Sequence, residues 1–309
     1  MIPRDIYRED VFDESDKAER RSQESADQEV MQMTTVETQR PEIGSSVVAH
    51  GIRTNYLEAG SGVPVVLVHG SGPGVTAYAN WRLTMPALAE RFRVLAPDMV
   101  GFGYTERPAG VTYDMSTWGD QLVGFLDAME LPRVSLVGNS FGGAVALRVA
   151  ARHSGRVNRL VLMGSVGVPF PITPGLDAVW GYQPSLDNMR RILDVFAHSR
   201  ELLTDELAEV RYRASIQPGF QESFGSMFPA PRQRWVDALA TPDDEIAQLP
   251  HETLVVHGRD DKVIPLETSL RLHQLIERSR LHVFGRCGHW TQIEWNTEFN
   301  RLVSDFLAA

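Results

Sequence analysis

The 309-residue sequence predicts an α/β protein, in which a mostly parallel sheet is flanked by helices and interrupted once by a helical insertion. Short apolar runs such as 64–69 alternate with segments of helical periodicity, which is typical of strands buried on both faces. At one junction, 138–142, the motif Gly-Asn-Ser-Phe-Gly lies between a strand-like and a helix-like run. From 168 to 235 the alternation stops and only helical segments follow. These three observations predict the fold class.

The predicted elements follow in the order that a parallel sheet requires. Residues 45–49 and 52–59 are typical of a hairpin, and a helix at 116–129 has Asp114 or Ser116 as its cap. Further strands are predicted at 64–69, 93–97, 134–137, 157–163, 253–257 and 281–284. Further helices are predicted at 80–90, 144–151, 266–278 and 291–307. The sequence therefore predicts an eight-stranded, mostly parallel sheet with helices on both faces.

The insertion is predicted to be a helical cap. It begins with the proline-rich stretch 169–175, which breaks the alternation. Helices are predicted near 185–197, 204–215 and 219–227, with no strand between them. The predicted organisation is an N-terminal tail at 1–40, a core at 41–167 and 236–309, and a cap at 168–235.

The N-terminal tail is acidic and poor in apolar residues. Residues 1–30 contain 10 acidic and 5 basic side chains, which give half of the chain's net charge of −10. Such a segment buries too little apolar surface to fold, so we predict a disordered, solvated tail. An interaction arm is the alternative, and Met31 or Met33 are alternative start positions.

Composition excludes several classes of function. The net charge of −10 argues against nucleic acid as a partner, and no apolar run reaches the 18 residues or so of a membrane span. The single cysteine, Cys287, rules out an internal disulfide and predicts a reducing, cytoplasmic location. No His, Cys, Asp and Glu spacing is typical of a metal site, and no phosphate-binding loop or dinucleotide fingerprint is present. We expect neither a metal nor a cofactor.

The motif at 138–142 is typical of a nucleophile elbow, a sharp strand-to-helix turn that exposes Ser140. Glycine is required at Gly138 and Gly142 because a Cβ atom there would collide with the neighbouring element. The turn also directs the N-terminus of the next helix at the serine. The motif alone also occurs in turns that have no catalytic role. Whether Ser140 is a nucleophile therefore depends on whether the sequence also contains a base and an acid for it.

Both partners follow in the order that this turn requires. A strand at 253–257 leads into Asp260 and Asp261, and a strand at 281–284 leads into His289. A histidine can take the serine proton, and a carboxylate can orient the imidazole. Alone, Asp261 could be a loop ion pair and His289 a helix cap. Together with Ser140 they predict a catalytic triad.

Here the sequence resembles the α/β-hydrolase superfamily across nearly all of 42–309. The resemblance implies that the acid is Asp261 rather than Asp260. Preorganised N–H groups must stabilise the oxyanion, and we assign them to the backbone of Ser71 and Phe141.

Three other residues have side chains that could react: Asp98, His69 and Cys287. Asp98 is a rival nucleophile, although its place before a glycine-rich turn favours a role in that turn. His69 is expected to support the loop of Ser71 rather than to react. Cys287 is expected to be a packed core residue.

Three motifs restrict the resemblance to one family within this superfamily. His-Gly-Ser-Gly-Pro-Gly at 69–74 with Ala-Asn-Trp at 79–81, Gly-Asn-Ser-Phe-Gly-Gly at 138–143 and Gly-His-Trp at 288–290 are similar to the meta-cleavage product hydrolases of aromatic degradation. Cap segments 177–182 and 227–232 are similar to the branch acting on 2-hydroxymuconic semialdehyde and its 6-alkyl analogues. The resemblance implies hydrolysis of a C–C bond in 2-hydroxy-6-oxohexa-2,4-dienoates, giving 2-hydroxypenta-2,4-dienoate and a small carboxylic acid. It also implies a homo-oligomer, a dimer or higher.

A dienoate needs a cation for its carboxylate, and arginine suits bidentate recognition. The cap offers four arginines: Arg190, Arg191, Arg211 and Arg213. The resemblance favours Arg211, and it implies that the polar end of the site is completed by Gly70, Gly72, Asn80, Asn139 and Trp290. An apolar pocket for the C6 substituent is predicted at Leu176, Trp180, Val236 and Ile264.

Two other functions remain open on sequence alone. A carboxylesterase or lactonase would share the triad and differ in the carboxylate-binding cap. A non-catalytic binding protein of this fold would not need the triad. The identity of the C6 substituent (hydrogen, methyl, longer alkyl or phenyl) also stays open.

Overall fold

The sheet that organises the molecule has eight strands in the order β1-β2-β4-β3-β5-β6-β7-β8. The computed structural model describes residues 40–309, so the predicted tail lies outside the described residues apart from Arg40. The strands are β1 (Ser45–Ala49), β2 (Ile52–Ala59), β3 (Pro64–Val68), β4 (Arg93–Pro97), β5 (Val134–Asn139), β6 (Val157–Met163), β7 (Glu252–Gly258) and β8 (Ser279–Phe284). Strand β2 pairs antiparallel with β1 and β4, and all other pairs are parallel. The predicted fold class is confirmed.

Helices lie along the chain between and after these strands. Before the cap region they are α1 (Ala77–Trp81), α2 (Met85–Ala89), α3 (Met115–Ala128) and α4 (Phe141–Arg152). Between β6 and β7 they are α5 (Pro174–Trp180), α6 (Leu186–Phe196), α7 (Asp205–Ser215), α8 (Phe220–Met227), α9 (Gln233–Leu239) and α10 (Asp243–Ala247). The last are α11 (Leu266–Leu275), α12 (Thr291–Glu294) and α13 (Asn296–Ala308). Within residues 40–309 no helix is long and apolar enough to cross a bilayer.

Two apolar layers cover the two faces of the sheet. Successive residues of β3 alternate between them: Val66 and Val68 belong to one layer, and Val65 and Leu67 to the other. The first layer is closed by buried aromatic residues of α3 and α4: Trp118, Phe125 and Phe141. The second is closed by Trp81, Leu88 and Phe299, from α1, α2 and α13. Burial on both faces explains why the central strands are almost wholly apolar.

Two predicted helices are interrupted. The helix expected at 80–90 is instead α1 and α2, because Pro86 lacks an N–H and is accommodated only in the first turn of a new helix. The helix expected at 291–307 is divided into α12 and α13 at Trp295, whose backbone (φ −122°, ψ 44°) is not helical. The Trp295 ring stacks on Phe284 with centroids 5.5 Å apart, which holds this break.

Helix α5 was not predicted, because its prolines suggested a loop. Pro174 is its first residue, where a missing N–H costs nothing, and the Thr173 side chain caps it by accepting from the backbone N–H of Leu176 at 3.0 Å. Helices α9 and α10 were also not predicted, and α11 ends at Leu275 rather than at 278. Of the two caps proposed for α3, Asp114 is correct: its side chain accepts from the Thr117 N–H at 2.8 Å.

Candidate active site

The turn between β5 and α4 holds Ser140 in a strained backbone conformation. Its φ of 53° and ψ of −115° lie outside the helical and extended regions, at a cost of about 1–3 kcal/mol. Four backbone hydrogen bonds offset this strain. The Ser140 N–H donates to Met163 at 2.8 Å, and the Ser140 carbonyl accepts from Gly143, Val166 and Ala144 at 3.0, 3.2 and 3.3 Å. The serine therefore lies at the carboxyl edge of the sheet, where β5 ends and the N-terminus of α4 begins.

The two glycines of the motif are needed for close backbone approach. A Cβ atom on Gly138 would lie 2.4 Å from the carbonyl oxygen of Gly142. A Cβ atom on Gly142 would lie 2.2 Å from the carbonyl oxygen of Val68, in the neighbouring strand β3. Both distances are shorter than any van der Waals contact, so the elbow excludes every other residue there.

Asp261 and His289 form a buried hydrogen-bonded pair. The imidazole Nδ1 donates to Asp261 Oδ2 at 2.7 Å, and Oδ1 accepts from the backbone N–H groups of Val263 and Ile264 at 2.7 and 3.0 Å. Burial alone would raise the pKa of Asp261, but His289 and the hydrogen bonds hold that pKa below its usual value. Because Nδ1 carries the proton toward Asp261, Nε2 remains available as a base.

Ser140 and His289 line the same cleft, a space of about 20 Å³ at the end of β5. The predicted polar residues of the site also line it: Gly70, Ser71, Gly72, Asn80, Asn139, Arg211 and Trp290. The structure thus brings together residues from the core and the cap region that are up to 220 positions apart in sequence, which is the arrangement a triad with a bound substrate would need.

The loop after β3 passes directly over Ser140. A Cβ atom on Gly70 would lie 2.9 Å from Asn139 Oδ1 and 3.4 Å from the Cβ of Ser140, so this position excludes side chains. The Gly70 N–H donates to Asn80 Oδ1 at 3.2 Å. Ser71 Oγ accepts from the indole N–H of Trp180 at 3.0 Å.

His69 fixes this loop as a neutral imidazole. Its Nε2 accepts from the backbone N–H of Met99 at 2.9 Å, so the proton is on Nδ1, which donates to the Gly70 carbonyl at 2.8 Å. Burial lowers the pKa of His69 and keeps the ring uncharged, although Asp98 opposes this shift. His69 therefore has both ring nitrogens engaged in the support of the loop.

Asp98 and Cys287 are both committed to structural contacts. Asp98 Oδ1 accepts from Ala77 N–H at 2.6 Å, and Oδ2 accepts from Asn55 Nδ2 and Tyr104 N–H, each at 2.8 Å. Cys287 is fully buried, and this burial raises the pKa of its thiol to about 12, so the nucleophilic thiolate does not form near neutral pH.

Comparison with known proteins identifies the family. The alpha/beta hydrolase fold model matches residues 63–294. The chain is 67% identical over 268 residues to a 2-hydroxy-6-oxo-2,4-heptadienoate hydrolase of Pseudomonas putida, covering 87% of this chain and 97% of the relative. It is 64% identical over 268 residues to a 2-hydroxymuconate semialdehyde hydrolase of a Pseudomonas species, covering 87% and 95%. A solved meta-cleavage product hydrolase of Pseudomonas fluorescens is 61% identical, covers 86% of this chain and 97% of its own, and superposes with a TM-score of 0.85.

The chain belongs to the meta-cleavage product hydrolases, within the α/β-hydrolase superfamily. The family resemblance seen in the sequence motifs is confirmed. In the part of this hydrolase that the structure describes, no group of three or more His, Cys, Asp or Glu side chains is gathered to hold a metal ion.

Arg211 differs from the other cap arginines of the hydrolase. Arg190 pairs with Asp187 and Asp205, and Arg213 pairs with Glu209, all at the surface. Arg211 is half-buried, and among residues 40–309 no carboxylate lies within 4.0 Å of it. Burial, and then the charge of Arg82, lowers its pKa to about 10, so the guanidinium is still charged near neutral pH.

The four apolar residues predicted for the C6 pocket are all buried in the same apolar layer. The indole N–H of Trp180 donates to Ser71, a residue that lines the cleft, and the Trp180 ring stacks on Phe228 with centroids 4.3 Å apart. The Ile264 N–H donates to Asp261. None of the four is among the residues that line the cleft of Ser140, so their part in substrate binding stays a prediction.

Sequence reasoning missed Phe196, the last residue of α6. Its carbonyl accepts from the backbone N–H groups of His289 and Trp290 at 2.7 and 3.3 Å. Its ring stacks on both side chains, with centroids 5.8 and 5.0 Å away. No local pattern marks this residue, because its role depends on a loop more than ninety positions later.

Two further residues were missed. Glu294 accepts three backbone hydrogen bonds: Oε1 from Gly288 at 2.7 Å, and Oε2 from His198 and Ser199, each at 2.8 Å. Glu294 thereby joins the segment after α6 to the loop of His289. His257 lies behind Asp261, with Nε2 3.1 Å from the Ile264 carbonyl and 3.5 Å from Asp261 Oδ2. The His-Gly pair before the acidic loop was the available sequence signal for it.

Replacing Glu294 with glutamine is expected to destabilise this junction. The amide keeps one acceptor oxygen and places an NH₂ group against a backbone N–H, which costs about 1–3 kcal/mol. We expect a melting temperature lower by about 5 °C and a kcat lower by about tenfold, because the histidine loop is less well positioned. Glu298→Gln, an exposed position four residues further on, is the matched control. Equal melting temperatures and rates in the two variants would contradict the assignment.

Proposed function

We propose that this chain hydrolyses the C5–C6 bond of 2-hydroxy-6-oxohexa-2,4-dienoates in the degradation of aromatic compounds. The products are 2-hydroxypenta-2,4-dienoate and a small carboxylic acid. The observation that carries the proposal is the cleft itself, which places Ser140 and His289 beside a half-buried arginine without a carboxylate partner among residues 40–309. Relatives at 67% and 64% identity act on 2-hydroxy-6-oxo-2,4-heptadienoate and 2-hydroxymuconate semialdehyde, which supports it.

The substrate must be protonated at C5 before a nucleophile attacks its C6 carbonyl. A carbon leaving group is poor until it is stabilised, so the dienol must first become the ketone by protonation at C5. His289 shuttles this proton, since its Nε2 is free while Nδ1 is held by Asp261. The C5–C6 bond can then break with its electron pair delocalised into the 2-oxo group.

Ser140 performs the acyl transfer. His289 takes the hydroxyl proton, and Oγ attacks the C6 carbonyl to form a tetrahedral oxyanion. The C5–C6 bond breaks, and the proton held by His289 passes to the 2-oxygen of the departing dienolate. The hydroxypentadienoate leaves, and the C6 acyl group stays on Ser140. Water, deprotonated by His289, then releases the acid and restores the serine.

The backbone N–H groups of Ser71 and Phe141 are proposed as the oxyanion donors. Phe141 is the first residue of α4, so its N–H is one of those that a helix leaves unpaired, at the positive end of the helix dipole. Ser71 follows Gly70, which passes within contact distance of Ser140. Each such donor contributes about 2.7–4 kcal/mol to the transition state in other hydrolases.

The substrate carboxylate is proposed to bind Arg211. Asn80 supports this placement, because its Nδ2 is buried and has no hydrogen-bond partner among residues 40–309, while its Oδ1 is used by Gly70. Asn139 and Trp290 line the same cleft and complete the polar end. The small substituent on C6 is proposed to face the apolar residues near Trp180.

One assay separates the proposed function from its alternatives. We expect loss of the yellow absorbance of 2-hydroxymuconic semialdehyde, and a comparison across hydrogen, methyl, longer alkyl and phenyl at C6 will define the preferred substituent. Turnover of simple esters or lactones without dienoate turnover would favour a carboxylesterase or lactonase. Turnover of neither would favour a non-catalytic binding protein.

Replacing Arg211 with alanine is expected to affect dienoates selectively. Loss of a charge-assisted hydrogen-bond partner should raise KM for the dienoate by about 10- to 100-fold, with little change for a neutral ester. Steady-state kinetics on both substrates measure this. Arg213→Ala, two residues along α7 and paired with Glu209 at the surface, is the control. An equal effect of Arg211→Ala on both substrates would remove Arg211 from the site.

The proposal also includes a cellular location, an oligomeric state and a division into core and cap. A cytoplasmic location is supported by the single cysteine, and a homo-oligomer, dimer or higher, by the family resemblance. The division into a core at 41–167 and 236–309 and a cap at 168–235 is supported by the helices between β6 and β7. Light scattering on the purified chain tests the oligomer, and a single mass of about 34.5 kDa would contradict it.

A further inference from the structure

A second and larger cavity adjoins the cleft of Ser140. It has a volume of about 290 Å³ and lies between α1, the cap segment around Leu202 and Leu207, and α12. Four residues line both spaces: Val75, Asn80, Arg211 and Trp290. Arg211 therefore stands at the boundary between the cleft and the larger cavity, which we name the outer chamber.

Arg82 lines the outer chamber and not the cleft. It directly follows α1, it is half-buried, and its Nη1 donates to the Ala79 carbonyl at 2.9 Å. This one bond fixes the guanidinium and leaves most of its five N–H donors for other partners. Within residues 40–309, no carboxylate lies within 4.0 Å of Arg82, and Glu201 is the chamber's acidic lining residue.

The charges of the two arginines act on each other. Arg82 is the second cause, after burial, of the lowered pKa of Arg211, so the two cations are close enough to repel. An anion between them would relieve this repulsion. The chain as a whole has a net charge of −10, so the outer chamber is a local positive region on an acidic protein. Such a region concentrates anions that the rest of the surface repels.

We infer that the outer chamber is a carboxylate-binding site, in which Arg82 captures an organic carboxylate before it reaches Arg211 and the cleft. The inference rests on the proposed function and deepens it, since the dienoate and both products are carboxylates. Arg82 touches the anion on its way to and from the reaction, while the chemistry stays with Ser140, His289 and Asp261. The site takes carboxylates as a class, because a guanidinium binds the carboxylate group rather than the chain attached to it.

A kinetic comparison tests the role of Arg82. In Arg82→Gln we expect kcat for the dienoate to be unchanged and kcat/KM to fall by about tenfold at low ionic strength. The difference should shrink as salt screens the chamber, and a neutral ester should be unaffected. Arg191→Gln is the matched control, because it removes one charge from an exposed arginine of α6 outside the chamber. An unchanged kcat/KM and salt dependence, or an equal loss with the ester, would overturn the inference.

A binding measurement separates this inference from the proposed function. Hexa-2,4-dienoate lacks the 6-oxo group and cannot react, so its affinity, followed by tryptophan fluorescence, needs no turnover. We expect binding to weaken by about tenfold in Arg82→Gln and to change by less than about twofold in Arg191→Gln. Equal affinities in wild type and Arg82→Gln would overturn the inference even if dienoates are hydrolysed. Absence of dienoate hydrolysis in the wild type would overturn the proposed function, while the binding result would still decide the role of Arg82.

Discussion

Replacement of Ser140 by alanine is expected to lower kcat for the dienoate by about 10⁴- to 10⁶-fold while the dienoate still binds. In the proposed mechanism the hydroxyl oxygen attacks the substrate, so no acyl-enzyme can form without it. The contacts proposed for the substrate, at Arg211 and Asn80, are not touched by the change. Single-turnover absorbance measures the rate, and equilibrium titration measures the dissociation constant, which we expect to stay within about threefold.

The matched control for this variant is Ser165→Ala. Ser165 is a fully buried serine beside α4, its hydroxyl has no partner among residues 40–309, and it does not line the cleft. Its removal should leave activity near wild type and is neutral or slightly stabilising, because an unsatisfied hydroxyl is lost. If Ser140→Ala kept more than about 1% of the activity, Ser140 would not be the nucleophile.

The second large effect is expected for Asp261→Asn, with kcat lower by about 10³- to 10⁴-fold. An amide NH₂ in place of Oδ2 would face the Nδ1–H of His289, so the imidazole would favour the opposite tautomer and lose its free Nε2 base. Asp260→Asn is the control, because Asp260 is the adjacent carboxylate, is partly exposed and accepts only a 3.3 Å bond from the Cys287 N–H and a 3.4 Å bond from Arg259. Comparable losses in the two variants would remove Asp261 from the triad.

Asp261→Asn is also expected to change how the melting temperature depends on pH. The pKa of Asp261 in the folded chain lies below its usual value, so its contribution to stability is present above the pKa of an unfolded aspartate, about 3.9, and is lost as pH falls through the folded value. Asp261→Asn cannot titrate, so its melting temperature should fall less steeply than that of the wild type below about pH 4. Thermal unfolding at pH 3–7 measures this, and parallel curves would show that Asp261 is not the group responsible.

Much of the fold and of the reactive centre could be predicted, because both depend on local sequence patterns. The strands of the sheet follow from short apolar runs, and the elbow follows from glycines that the close approach of Gly142 to Val68 requires. The order of Ser140, Asp261 and His289 follows from the succession of strands. The choice of Asp261 over Asp260, and of Arg211 over its neighbours, came from family resemblance. Two observations support these predictions: Asp261 is hydrogen-bonded to His289, and Arg211 lines the cleft of Ser140.

The remaining features depend on contacts between distant parts of the chain. Glu294 resembles any charged helix residue in sequence, but its three bonds reach Gly288, His198 and Ser199. Phe196 resembles an ordinary apolar residue of a helix, although it packs against His289. The role inferred for Arg82 likewise depends on a cavity that α1, residues 201–211 and α12 form together, although they are far apart in sequence.

The Phe196 carbonyl accepts hydrogen bonds from His289 and Trp290, and these bonds would affect how the acyl-enzyme is protected from solvent. The backbone of His289, the proposed base, is held by Phe196, the last residue of α6. If α6 moved away from the core, the base would lose its position at the same moment that bulk solvent reached Ser140. The acyl group on Ser140 would then be exposed to bulk solvent only when His289 was out of position to activate a nucleophile. A hydrolase with this linkage would react only when closed, which would limit transfer of the acyl group to solutes other than the intended water.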